Sequence, residues 1–122
     1  MTGWGWTEQV LARSYPAILQ QVIIPVVSNK LCAVQLSRMR DSKPLGVYVR
    51  PTNICAGYPK GGKSVCSGDS GGPAVWLDSG NRAYQLGVVS WGVGCALPNY
   101  PAVYTRVTEY LGWIQANTGK YY

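Results

Sequence analysis

A chain of 122 residues is long enough for one domain with a real core and too short for two. With 47% apolar and 13% charged residues, and 15 Gly and 8 Pro, the composition excludes disorder and describes a turn-rich, β-leaning globular domain. The net charge of +6 is scattered without aromatic interleaving, so a solvated basic surface is favoured over nucleic acid, heparin or a membrane surface as partner.

In chain order, Met1 leads into "TGWGWTEQ" without the basic and apolar regions of an export signal, so the natural beginning is expected elsewhere. No apolar run reaches the roughly 20 residues of a membrane span. "QVIIPVV" (21–27) reads as a strand in which Pro25 demands an edge or a bulge. Between Cys32 and Cys55 a short helix is expected, with Val34, Leu36 and Met39 touching a core, and then a basic loop around "RMRDSKP" (38–44). "PAVWL" (73–77), "YQLGVVSW" (84–91) and "AVYTRV" (102–107) are further strands. "DSGN" (78–81) should close the first two of these into an antiparallel hairpin, because Gly80 and Asn81 tolerate positive φ. From 107 to 117, Val107, Tyr110, Leu111 and Ile114 fall at i, i+3, i+4 and i+7, the stripe of an amphipathic helix closed by Gly119. Many short strands followed by one helix indicate an antiparallel sandwich or barrel.

Cys32, Cys55, Cys66 and Cys95 lack C-x-x-C spacing, and the chain has no histidine to complete a zinc site. Disulfides are the better reading, and they imply an oxidising, extracellular setting. Four cysteines allow three pairings, which count alone does not resolve.

One stretch carries chemistry: "SVCSGDSGGPAVW" (64–76) sets Ser70 among glycines directly after an aspartate. A serine hydroxyl is a poor nucleophile, and acyl transfer needs a base, an exposed Oγ and donors aimed at the developing oxyanion. Gly68, without a side chain, lets its N–H and that of Ser70 turn toward one point, while Gly71 and Gly72 leave room for a substrate carbonyl. Taken alone, the same residues also read as a polar turn before a strand.

The surrounding blocks decide between these. "TGWGWT" (2–7), "LQQVIIPVVSNKLC" (19–32), "NICAGYPKGGKSVCSGDSGGP" (53–73), "LGVVSWGVGCA" (86–96) and "YPAVYTRVTEYLGWIQANT" (100–118) stand in order over nearly the whole chain. In these blocks it resembles the C-terminal half of a trypsin/chymotrypsin-like serine protease. The fold implied by that resemblance is all-β: residues 1–122 would be an antiparallel six-stranded Greek-key barrel with a C-terminal α-helix, one half of a two-barrel enzyme.

The same resemblance makes Ser70 the nucleophile, with the N–H groups of Gly68 and Ser70 as the oxyanion hole. Asp69 would be the buried carboxylate that pairs with a new α-amino terminus after zymogen cleavage; read by itself it could equally be a surface turn aspartate. Ser90, Trp91 and Gly92 match the segment that pairs with substrate backbone as an added strand, or, blandly, the end of a buried strand. Cys32 would pair with Cys55 and Cys66 with Cys95.

The specificity pocket implied has Ser64 at its base, Val65 beside it, Gly92 on one wall and Ala102 on another, and Ser67 is counted with them as substrate-binding. A trypsin-like member carries an aspartate at the position of Ser64, so an uncharged pocket suggests a chymotrypsin-like preference for Tyr, Phe, Leu or Met. The Ala102 methyl should disfavour Trp.

Several features depart from the family. The histidine base and its orienting aspartate have no counterpart, and nothing places Lys60 or Lys63 against Ser70. Trp76 stands where members often have a cysteine bonded to one just upstream of "TGWG"; neither cysteine is present. The segment 32–55 is longer than usual, and its Arg38, Arg40 and Lys43 read as a tolerated surface insertion ahead of an exosite for acidic substrate residues. Pro101 replaces the tyrosine of sodium-activated members, so cation activation is not expected.

The complete protein is therefore expected to be a secreted serine endopeptidase acting on peptide or protein substrates, without a metal or organic cofactor. Its partners would be the missing N-terminal barrel and protein protease inhibitors, not nucleic acid. The chain alone is expected to be inactive and to self-associate through the apolar face that would meet the other barrel. A non-catalytic, protease-like binding module is the alternative.

Overall fold

The computed structural model describes residues 1–7, 14–38 and 48–120. Among these described residues, seven short strands and two α-helices follow in order: β1 (Thr2–Gly3), β2 (Gln20–Gln21), β3 (Val26–Val27), α1 (Asn29–Ser37), β4 (Asn53–Ala56), β5 (Pro73–Leu77), β6 (Ala83–Trp91), β7 (Ala102–Arg106) and α2 (Leu111–Thr118). A 3-10 turn, Val107–Tyr110, leads into α2. The strands bond as an antiparallel five-stranded sheet in the order β3-β4-β7-β6-β5 and as a separate β1-β2 ribbon. This is the mainly antiparallel β architecture with a terminal helix expected of half a trypsin-like enzyme.

The sheet is built on β6 and β7, and the consecutive buried residues Ala102, Val103 and Tyr104 bury both faces of β7. Ala102 and Tyr104 enter one core cluster with Ile24, Ala56, Ala74 and Val89. Val103, between them, points the other way and packs with Cys32, Leu36 and Cys55 beneath α1. The Cys32–Cys55 disulfide thus ties α1 to β4, and Cys66–Cys95 joins the 64–72 segment to the loop after β6. These are the two pairs that the resemblance implied. Each bridge closes a loop of 23 or 29 residues, for which the chain-entropy model gives roughly 3–4 kcal/mol.

The 73–91 hairpin forms as read. Leu77 pairs with Ala83, and Asp78 Oδ1 accepts the N–H groups of Gly80 and Arg82, while Asn81 alone of the turn takes positive φ, at 60°. Trp76 lies directly across from Tyr84, ring centroids 5.6 Å apart.

Two expectations change, and a third falls outside the described residues. The run 21–27 is not one strand: β2 and β3 flank an irregular stretch, because Pro25 has no N–H to donate, although its carbonyl accepts from Gly57 at 3.0 Å. Val34 does not reach the core. Cys32, Gln35 and Leu36 share the inward face at i, i+3 and i+4, which turns Val34 to solvent at 48% exposure. Met39, Arg40 and Lys43 lie outside the described residues, and Arg38 caps the helix through its own N–H.

The C-terminal helix ends where expected, Gly119 taking φ 67° and donating to Gln115. Its apolar stripe is partly covered: Val107 and Ile114 are half-buried, Tyr110 and Leu111 are about 40% exposed, and no residue of α2 is fully buried among the described residues. The 3-10 turn that precedes the helix makes the contact with β6.

Candidate active site

The segment 64–72 is a run of turns held at both ends. Asp69 N–H bonds to Cys66 O and Gly72 N–H to Asp69 O, both at 3.0 Å, and Gly71 and Gly72 exchange bonds with Val89 of β6. Gly68 and Gly71 sit at φ 97° and 83°, a region that L side chains rarely enter, so the two glycines permit this path.

Two cavities flank the segment. The smaller, about 200 Å³, is lined on one side by Val65, Ser67 and Ser70 and on the other by Ser90, Trp91, Gly92 and Ala102. The structure therefore brings together seven of the residues singled out from sequence. Among the described residues no acidic or basic side chain lines this cavity. Gly92 matters for its width: a Cβ there would stand 3.8 Å from the Ala102 methyl, closing the gap between the walls. Ser64 is not among its lining residues; it faces the larger cavity, about 470 Å³, with Asp69 and Lys63.

Backbone geometry explains how Ser90–Gly92 is displayed. The β6–β7 register slips between Val89 and Trp91, a bulge at Ser90 that re-aims the end of the strand. On the other side the ladder to β5 ends with the Gly71 and Gly72 bonds to Val89. Beyond that point the segment has a strand neighbour on the β7 side only.

Ser70 is exposed, and among the described residues neither its hydroxyl nor the N–H of Gly68 or Ser70 makes a hydrogen bond. Lys60 and Lys63 do not line its cavity. Asp69 points the opposite way. Its Oδ1 accepts from Gly5 N–H at 2.8 Å and its Oδ2 from Cys66 N–H at 2.9 Å, which makes it a half-buried anchor and not a surface turn residue. Beneath it the buried Tyr104 hydroxyl donates to Met1 Sδ at 3.0 Å, and burial first, then the Asp69 charge, raises its pKa.

Gly3, Gly5 and Tyr15 were not singled out from sequence, yet all adjoin this site. A Cβ at Gly3 or Gly5 would overlap the Asp69 carboxylate, and Tyr15 lies against Gly68. The paired glycines of "TGWGW" were the available signal, since residues without side chains leave room for the close approach of another group. Among the described residues no group of three His, Cys, Asp or Glu could hold a metal ion, and no helix is long and apolar enough to cross a membrane.

Against known proteins, the family model described as Trypsin matches residues 1–114. The chain belongs to the trypsin family. It is 44% identical over 117 residues to Trypsin-1 of Astacus astacus, covering 96% of this chain and 45% of that protein. Vitellin-degrading protease of Bombyx mori is 40% identical over 96% of this chain and 39% of its own length. Transmembrane protease serine 11B of Homo sapiens is 40% identical over 98% of this chain and 26% of its own. The chain thus spans less than half the length of these trypsin-family relatives.

Proposed function

We propose that this chain supplies the nucleophile, the oxyanion hole and the specificity pocket of a secreted serine endopeptidase. Ser70 Oγ attacks the peptide carbonyl, and a histidine outside this chain takes its proton and passes it to the leaving amine. The acyl-enzyme is then hydrolysed by water. The N–H groups of Gly68 and Ser70 receive the oxyanion. A substrate strand adds to Ser90–Gly92, and the side chain before the scissile bond enters the cavity bounded by Val65 and Ala102.

One observation carries this reading: the Ser70 hydroxyl lies unengaged beside a cavity, the N–H groups of Gly68 and Ser70 make no hydrogen bond among the described residues, and Asp69 is turned away. A chymotrypsin-like preference for Tyr, Phe, Leu or Met is supported by the uncharged lining. Ser64, on the far side of the segment, would influence that preference only through Val65. Asp69 receives the α-ammonium of a cleaved zymogen in the larger cavity, where each carboxylate oxygen, already holding one N–H, has capacity for a second donor.

The test is labelling by a fluorophosphonate, which reports an activated serine. The isolated chain is expected to react negligibly, because removing one member of a cooperative triad abolishes most of its effect. A longer form carrying the histidine is expected to react at Ser70, and its Ser70→Ala variant is not. Rapid stoichiometric labelling of the isolated chain would overturn the divided site. No labelling of the histidine-bearing form would favour a non-catalytic binding module.

A further inference from the structure

We propose that Tyr15, backed by Trp6, is a positioning residue that holds the Gly68 peptide with its N–H toward the oxyanion site. The inference rests on the reading of Ser70 as nucleophile, because only then does the direction of that N–H matter.

A glycine in a turn is the backbone unit most easily rotated, and a flip of the 67–68 peptide would present a carbonyl where a donor is needed. Gly68 is instead wedged. A Cβ on it would lie 2.8 Å from Tyr15 Cε1 and 3.2 Å from Gly5 Cα, so the ring and the Gly5 backbone occupy the space on its side-chain face. The 67–68 peptide is itself tied, its Ser67 carbonyl accepting the Trp6 N–H at 2.9 Å, a bond that a flip would break, and Gly5 N–H donates to Asp69 Oδ1 at 2.8 Å. Residues 5 and 6 thus grip 69 and 67, and Tyr15 fills the point between them. Trp6 meets the Tyr15 ring edge-to-face, centroids 6.3 Å apart at 61°, which limits the ring's own movement.

Tyr15 lines neither cavity and is 64% exposed, and its hydroxyl makes no hydrogen bond among the described residues. The contact is made by the ring, so phenylalanine should replace it and alanine should not.

Two measurements test this. In the chain itself, the Gly68 and Ser70 amides are followed by nitrogen-15 NMR in wild type, Tyr15→Phe, Tyr15→Leu and Tyr15→Ala. Tyr15→Ala is expected to broaden the Gly68 resonance and speed its hydrogen exchange by about 10-fold, with the amides of β6 and β7 unmoved. Tyr15→Phe should match wild type and Tyr15→Leu, which keeps apolar bulk, should fall between. An unchanged Gly68 amide in Tyr15→Ala, or in Tyr15→Leu if the alanine variant does not fold, overturns the proposal.

In the histidine-bearing protein, Tyr15→Ala should lower kcat by about 10-fold, a fraction of the 10²–10³ lost when an oxyanion donor is removed, with KM within about twofold. A raised KM at constant kcat would make Tyr15 a substrate contact and overturn the positioning role. If that protein cleaves no peptide while the Gly68 effect persists, the nucleophile reading has failed and the clamp has not.

Discussion

The two faces of the 64–72 segment use their polar groups in opposite ways. On the Asp69 face the carboxylate is engaged: both oxygens accept backbone N–H bonds, and the Tyr104 hydroxyl below reaches Met1. On the Ser70 face the hydroxyl beside an uncharged cavity, and the N–H groups of Gly68 and Ser70, are without hydrogen bonds among the described residues. The contrast teaches that one short loop can be rigid and available at once, provided that successive residues face opposite sides. Asp69 holds the loop so that its neighbours on either side, Gly68 and Ser70, need not.

Removing the covalent tie should disturb this contrast most. Replacing Cys66 and Cys95 together by serine opens a 29-residue loop and is expected to cost about 3–4 kcal/mol, read as a lower urea midpoint under non-reducing conditions. An equal loss from a distant control such as Cys32→Ser with Cys55→Ser would fit a general loop-closure effect; the first pair alone should also shift the Gly68 and Ser70 amides.

Removing the anchor is next. Asp69→Ala leaves the Gly5 and Cys66 N–H groups without their acceptor, at a cost of about 1–3 kcal/mol, toward the lower end because water can enter the adjoining cavity. Thermal melts should show it. Ser70→Ala, on the open face, should leave the melting temperature nearly unchanged, and a comparable loss there would erase the distinction.

The smallest effect comes from pH. Tyr104 holds its proton in the folded state above the ordinary tyrosine pKa of about 10, whereas the unfolded chain releases it there. Its contribution is therefore complete below about pH 10 and declines as pH rises beyond that, toward the raised folded value. Tyr104→Phe should flatten the alkaline fall in stability; an unaltered slope would show that burial of this hydroxyl does not govern it.

Legibility in the sequence followed the range of the interaction involved. The hairpin from 73 to 91 was readable because alternation and an Asp-Ser-Gly-Asn turn act over a few residues, and Gly119 ended α2 for the same local reason. β1 and β4 were not read as strands, since two or four residues of ladder leave no periodic signal. Val34 was misplaced because an apolar residue in a short helix does not disclose which face the partner will cover; the disulfide at Cys32 lies on that face. Leu36, on that face, was placed correctly.

By itself the sequence determined the family, the antiparallel β class, the candidate nucleophile and its glycines, and the absence of any histidine in this chain. Only the tertiary structure decided that Ser64 and Ser70 open onto different cavities, that Asp69 is held by Gly5, and that Tyr15 lies on Gly68. The reason is separation along the chain. Gly5 and Asp69 are 64 residues apart, and which backbone N–H a carboxylate meets at that distance depends on how the strands between them stack, not on any neighbour in sequence.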